Sequence, residues 1–414
     1  MVDRAARTVA LKVLDRARGG TIDVVENGRT TRVGTPDGEE PLRAVLEVRD
    51  RAFWPGLARG SSGLATAYAD GLWTSPDVVE LIRVGARNGA QLDAVRRALR
   101  PVLGTLRALG DRAGNTITAS RKQIAAHYDL GNELFSRFLD ETLTYSCAIF
   151  PSRRASLREA QVHKLDVACR KLGLGPGDHV LEIGTGWGGF ALHAAGRYGA
   201  RVTTTTISRE QHRVAVRRVR EAGLGERVRV LADDYRQLRG AYDKLVSIEM
   251  IEAVGWRNLG AFFRACSDRL RSHGAMLLQA ITIDDAAYDV EKGSRTFIRE
   301  QIFPGGDLPS LAVIHRELAR HTDLRATSLE DITPHYPETL RRWRASFLEH
   351  AEELAAIGYD TRFRRLWELY LAYSEAGFRE RRIRDVQLVL AKPLWEPATG
   401  WMHSEPAASA PGGT

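Results

Sequence analysis

The chain has 414 residues, is 43% hydrophobic and 27% charged, and carries a formal charge of +8, which places it among ordinary soluble proteins long enough for two domains. No apolar run reaches the ~18 residues of a spanning helix and no signal-peptide pattern opens the chain, so a cytoplasmic location is expected. Cys147, Cys169 and Cys266 are too scattered for a disulfide framework or a zinc site. The charge favours anionic partners, nucleic acid or an acidic lipid surface, although Lys supplies only seven of the 60 basic residues and the Arg skew can be compositional.

Taken in chain order, "IDVVENGRTTRVG" carries Asn27-Gly28 between two extended runs, a hairpin signal, and "LRAVLEVRD" is a further strand. From Ser75 to about Leu109 the pattern is helical, with Ser75 as cap and Pro76 in the first turn of "SPDVVELI". The polar "DRAGNTITASRKQ" marks a boundary, giving a smaller α+β domain over 1–115 and a second domain over 120–395. In the second, "HVLEIG", "RVTTTTIS", "VRVLADD", "KLVSIEM", "AMLLQAITI" and "VQLVLAKP" are short apolar strands separated by helical segments. That rhythm predicts an α/β fold with a doubly wound, mostly parallel sheet. A helical insertion is expected over 337–380, with apolar spacing at Leu340, Trp343, Phe347, Leu348 and Ala351. Residues 396–414 read as a disordered tail.

Strand, glycine turn and helix meet in "VLEIGTGWGGFALHAA". Gly184, Gly186 and Gly188 let a ligand approach the backbone at a helix N-terminus. A dinucleotide site would want an acid at the end of the next strand, which instead reads "TTTTIS". Glu182 before the first glycine, and the acids and tyrosine of "LADDYRQL", favour S-adenosylmethionine.

Together with "HYDLGNELFSRFLDETLTYSCAIF", "IEMIEAVG" and "FIREQIFPGGDLPS", these stretches resemble the successive motifs of the cyclopropane-fatty-acid synthase family over residues 120–393. "GLATAYADGLW" resembles the N-terminal lipid-binding domain of its longer members. The resemblance implies S-adenosylmethionine-dependent methylation of a double bond in an unsaturated acyl chain of a membrane phospholipid. It implies cofactor contacts at Tyr145, Ser146, Gly184, Gly186, Thr206, Ile207, Gln211, Asp234 and Tyr235. It implies a bicarbonate ion as base, held at Cys147, Glu252, Gln279, Ile281 and Tyr336. The expected partners are an anionic membrane, bound peripherally, and no nucleic acid, with a flavin-dependent reductase and a homo-oligomer as further options.

Methylating an alkene leaves a carbocation, so the site must be dry and hold a base near the new methyl group. Tyr128, Phe135, Phe138 and Phe150 are candidate walls of an acyl tunnel. Cys147 reads as a small buried hydrophobe rather than a nucleophile, and His127 as a structural hydrogen bonder. The Arg-aromatic stretches "RRWRASF" and "RFRRLWELY" read as solvated faces over a core. The chain departs from the family in two places. Ala253 stands in "EAVG" where E-H-V-G is common, and Gln279 in "LLQAI" where a histidine is usual. Gln cannot carry charge or exchange a proton. These departures resemble an actinobacterial subgroup that makes 10-methylene (tuberculostearic-type) branches, with cyclopropane ring formation as the alternative. A nucleic-acid methyltransferase is a distant third, since "SIEMIEAVG" lacks an N/D-P-P-Y/F motif.

Overall fold

Residues 2–94 and 131–396 are described by the computed structural model. Asn27 and Gly28 join β1 (Gly20–Glu26) to β2 (Arg29–Thr35). Their φ angles are 50° and 73°, the positive pair a two-residue hairpin turn needs. β3 (Leu42–Val48) pairs parallel with β1 and β4 (Trp73–Thr74) antiparallel with β3, in the order β2-β1-β3-β4. Ile22, Val24, Leu46 and Val48 face a core shared with Val79, Ile82 and Val84 of the helix Val78–Arg87. The cap of that helix is Asp77, whose Oδ1 accepts from the Glu80 N–H at 3.0 Å. Ser75 instead donates to the Asp77 carbonyl, so the start lies two residues later than expected because a carboxylate competes for the same role. The helices Val2–Leu14, Phe53–Gly56 and Gly60–Ala69 were not anticipated. The last packs so closely that a Cβ on Gly63 would sit 1.9 Å from the Gly56 carbonyl.

In the second half, strands apolar on both sides demand cover on both faces. β5 (His179–Ile183), β6 (Arg201–Thr205), β7 (Val228–Leu231), β8 (Tyr242–Ile248) and β9 (Leu270–Ile283) pair in parallel. Leu181, Leu245 and Leu278 pack with Phe262, Phe263 and Ile314 on one face. Their neighbours Val180, Val246 and Leu277 pack with Leu165, Cys169 and Ala194 on the other. β10 (Arg325–Asp331) and β11 (Ile383–Ala391) add an antiparallel edge, giving the order β10-β11-β9-β8-β5-β6-β7. The expected α/β class and parallel sheet are present. β10 is exposed along most of its length, so it carries no burial pattern to read.

The helical insertion comprises Tyr336–Glu349, Ala351–Ala356 and Thr361–Arg379. Leu340, Trp343 and Phe347 are buried, but Leu348 is 44% exposed because it lies off their i, i+3, i+7 stripe. The helix Thr361–Arg379 bears on the N-terminal sheet's helices. Arg365 Nε donates to the Tyr68 carbonyl at 2.6 Å, and Glu380 accepts from Arg83 and Arg87 at 2.7 and 2.8 Å. One apolar cluster therefore runs from Ile22 to Trp343 and Trp367. The helix expected from Ser75 to about Leu109 is instead broken at Arg87, with Asn88 as its cap; its expected course beyond 94, the boundary between 115 and 120, the tail beyond Glu396, and both His127 and Tyr128 lie outside the described residues.

Because that cluster spans both halves, Trp367→Ala is expected to cost about 3–5 kcal/mol. The loss should appear in denaturant melts as one shared transition, displaced downward. Two separated transitions would show that the halves unfold independently.

Candidate active site

The chain leaves β5 towards β6 and leaves β8 towards β9, in opposite directions along the sheet. The crevice outside the carboxyl ends of such a strand pair is where ligands bind in open α/β sheets. The glycine turn follows β5 and the two glutamates of "SIEMIEAVG" follow β8, so the topology brings them to one place. A cavity of about 1620 Å³ opens there.

At one end lies the glycine turn. Gly184, Gly186 and Gly188 have φ of 104°, 52° and 90°. An ideal Cβ on Gly186 would meet no atom within 4 Å, so its open side faces the cavity. Gly188 sits behind the cavity wall, where its left-handed backbone begins the helix Gly189–Tyr198. The other expected cofactor residues all line the cavity: Tyr145, Ser146, Thr206, Ile207, Gln211, Asp234 and Tyr235. Their orientations are fixed by neighbours. Thr206 donates to Gln211 Oε1 at 2.8 Å, and Arg236 grips Asp234 through two 2.7 Å bonds. Tyr145 shares a 2.7 Å bond with Tyr370. Glu182 also lines the cavity, and its Oε2 is buried with no hydrogen-bond partner among the described residues. Burial pushes its carboxyl up to about 8. An open glycine turn, a neutral buried acid and a fixed amide fit the methionine and adenosine parts of S-adenosylmethionine.

Next to it lies an acid cluster whose centre the sequence reading missed. Glu249 Oε1 accepts from the Cys147 N–H at 2.7 Å and from Gln279 Nε2 at 2.8 Å, and Oε2 accepts from the Tyr336 hydroxyl at 2.5 Å. Three of the five residues assigned to bicarbonate therefore donate to a carboxylate of the chain itself. A fourth, Ile281, gives its N–H to Glu252 Oε1 at 2.6 Å. Cys147 contributes its amide, while burial and nearby carboxylates hold its thiol well above the usual range. The arrangement does not fit a bicarbonate ion, because its donors are already engaged.

Glu249 holds this position with φ of 47°, a left-handed backbone that costs a non-glycine residue roughly 1–2 kcal/mol. Its amide partner is oriented from behind. Lys171 Nζ donates to Gln387 Oε1 at 2.7 Å, Gln387 Nε2 to Gln279 Oε1 at 3.0 Å, and Gln279 Nε2 to Glu249. Gln279 and Gln387 are cross-strand partners on β9 and β11. Glu252 Oε2 has no hydrogen-bond partner among the described residues, and burial with the Glu249 charge pushes Glu252 up to about 8. Asp385, fully buried, is raised by burial, by Glu249 and by Glu252. Lys164, also fully buried, donates to Ser146 Oγ at 2.6 Å, and burial draws it down against the pull of Glu249. "SIEMIEAVG" shows both glutamates but gives no sign of which one meets the donors. Nothing local marks Lys164 or Asp385.

From the acids the cavity continues between Tyr145, Phe303, Tyr370 and Phe378 to Ile22, Leu46, Phe53 and Ile82 of the N-terminal half. Phe135 and Phe138, expected as tunnel walls, lie one layer back, buried against Tyr145, Trp343 and Trp367. Phe150 packs under Arg342, away from the cavity. These aromatics support the wall instead of forming it. Both Arg-aromatic stretches bury their tryptophans, Trp343 and Trp367, as expected of a face over a core.

Residues 115–388 match the family of mycolic acid cyclopropane synthetases. The tuberculostearic acid methyltransferase of Mycobacterium tuberculosis is 43% identical over 80% of this chain and 79% of its own. The cyclopropane-fatty-acyl-phospholipid synthase of Escherichia coli is 35% identical over 89% and 93%. Among solved structures, a cyclopropane synthase from Mycobacterium tuberculosis aligns with a TM-score of 0.62 at 33% identity, covering 66% of this chain and 98% of that one. A mycolic acid cyclopropane synthase complexed with SAH and CTAB aligns with the same TM-score at 31% identity, over 66% and 98%. With its parallel sheet, its glycine turn at the switch point and these likenesses, the chain belongs to the mycolic acid cyclopropane synthetase family of S-adenosylmethionine-dependent lipid methyltransferases.

Proposed function

We propose that the enzyme methylates the double bond of an unsaturated acyl chain in a membrane phospholipid and yields a 10-methylene branch. The observation that carries this reading is one continuous cavity, from the glycine turn through the acid cluster into an apolar channel walled by the N-terminal half. The cofactor supplies an electrophilic methyl group on sulfonium. Gly184 and Gly186 admit it to the backbone. Tyr145, Phe303 and Tyr370 turn aromatic surface to the channel, exclude water and stabilise positive charge on the chain. Gln279 supports the branch over the ring, because its amide, bonded to Glu249, Asp385 and Gln387, can exchange no proton where the resembled family usually carries a histidine. The tuberculostearic acid methyltransferase among its relatives favours the same product. A cyclopropane product is the second reading, favoured by the relative that is a cyclopropane-fatty-acyl-phospholipid synthase. Reduction of the methylene group falls to a separate flavin-dependent enzyme.

Access to lipid is peripheral in this reading, since no helix among the described residues is long and apolar enough to cross a membrane. Exposed Arg16, Arg59 and Arg295 stand around the cavity beside Val13, 50% exposed, and Leu92, 47% exposed. Exposed basic and apolar residues along the cavity lining suit an anionic bilayer surface.

Lipids from a host expressing the protein should gain one methylene unit of mass per unsaturated chain, and ozonolysis should release a ketone from a branch. Lipids of unchanged mass would overturn the reaction, and ozone-resistant products would give the ring. Binding to anionic vesicles should weaken as salt rises, whereas equal affinity for neutral vesicles would remove the electrostatic route. The folded state holds the Glu252 proton up to about 8, against an ordinary value of 4.5. Its contribution to stability is therefore complete below 4.5 and fades as pH climbs through 8. Glu252→Gln should flatten the fall of denaturation midpoints across that window, and an unchanged slope would mean that Glu252 ionises freely.

A further inference from the structure

We propose that Glu249 is the proton acceptor of the reaction, a base built into the chain where a bound anion was expected. This rests on the alkene-methylation reading above. Three observations converge on it. The Glu249 carboxylate takes three donors, the Cys147 amide, the Gln279 amide and the Tyr336 hydroxyl, at 2.7, 2.8 and 2.5 Å. It lines the cavity beside the glycine turn, where Gly184 packs against the next residue, Met250. Its backbone is held at φ of 47°, a conformation glycine adopts freely and glutamate does not. Such strain, stored where donors gather, points to a side chain retained for its carboxylate.

The neighbours suit the role. All three of these hydrogen bonds run towards Glu249, so its carboxylate is an acceptor, while Gln279 Nε2 also donates to Asp385 Oδ2 at 3.0 Å. Tyr336, buried and raised well above its ordinary range, stays a donor. Glu252 and Asp385 are pushed towards their neutral forms, which spares the site a second and third negative charge. The Lys171–Gln387–Gln279 relay fixes the amide so that its NH₂ faces the carboxylate.

The step balances without another reactant. The alkene π pair forms a bond to the methyl carbon, and the S–CH₃ pair returns to sulfur, leaving a neutral thioether and a carbocation on the chain. A hydride shift moves the positive charge to the carbon bearing the new methyl group. A methyl C–H bond then breaks, its pair becomes the π bond between the chain carbon and the new CH₂ group, and the proton passes to a Glu249 oxygen. Solvent takes that proton after product leaves. Ring closure would deliver the proton to the same oxygen, so the assignment holds for either product.

The test compares wild type, Glu249→Gln and Glu249→Gly on vesicles of an oleoyl phospholipid, in carbonate-depleted buffer with and without added bicarbonate or formate. Cofactor affinity by calorimetry and melting temperature are read for each. Wild type should turn over equally with or without bicarbonate. Glu249→Gln should lose roughly 10²–10⁴-fold in kcat while its cofactor affinity stays within about twofold. Glu249→Gly, whose backbone relaxes and whose three donors are set free, should be equally slow and recover with bicarbonate or formate but not chloride. Bicarbonate dependence in an active wild type would overturn the inference alone, as would a fully active Glu249→Gln. A wild type that methylates no unsaturated lipid would overturn the parent reading as well.

Discussion

Two parallel strands whose chains depart in opposite directions cannot close the space between their carboxyl ends. The gap between β5 and β8 is that space, and the placement of every functional group depends on it. Gly184 and Gly186 reach it from β5, Glu249 and Glu252 from β8, and Gln279 and Ile281 from β9 alongside. Among the described residues, the N-terminal half adds no group to the acid cluster. It extends the gap into an apolar channel, because the helix Thr361–Arg379 ties it down through Glu380, Arg365 and the Trp367 cluster.

Burying several acids beside a lysine is costly unless their charges are removed or met by donors. Here both devices operate. Glu182, Glu252 and Asp385 are driven towards neutrality by burial, while Glu249 meets three donors. The result is a pocket with a local gradient of polarity: one acceptor near the glycine turn, neutral acids behind it, and aromatic walls beyond. A reaction through a carbocation needs that combination, since water would trap the cation and a distant base would leave its proton in place.

The replacement of a histidine by Gln279 and the presence of Glu249 belong together in space. A histidine can exchange a proton, whereas the glutamine amide, whose oxygen accepts from Gln387 and whose NH₂ donates to Glu249 and Asp385, cannot. On the proposed assignment proton acceptance rests on the carboxylate in contact with that amide at 2.8 Å.

Much of this was legible in the sequence. The Asn-Gly hairpin, the run of apolar strands and the glycine turn are local signals, set by backbone geometry and burial, and they appear where they were read. So does the gathering of Cys147, Gln279, Ile281 and Tyr336, which the family motifs implied. The Asp77 cap, the exposed strand β10 and the retreat of Phe135 and Phe138 behind the cavity wall were not legible, because each depends on what packs against it. The same holds for Glu249. "SIEMIEAVG" offers two glutamates three residues apart, and only the tertiary structure turns one towards the donors of Cys147, Gln279 and Tyr336, because those donors lie 102, 30 and 87 residues away. The sequence by itself determined the sheet and the turn that open the crevice; which carboxylate occupies it was decided by side chains that only folding brings within 3 Å.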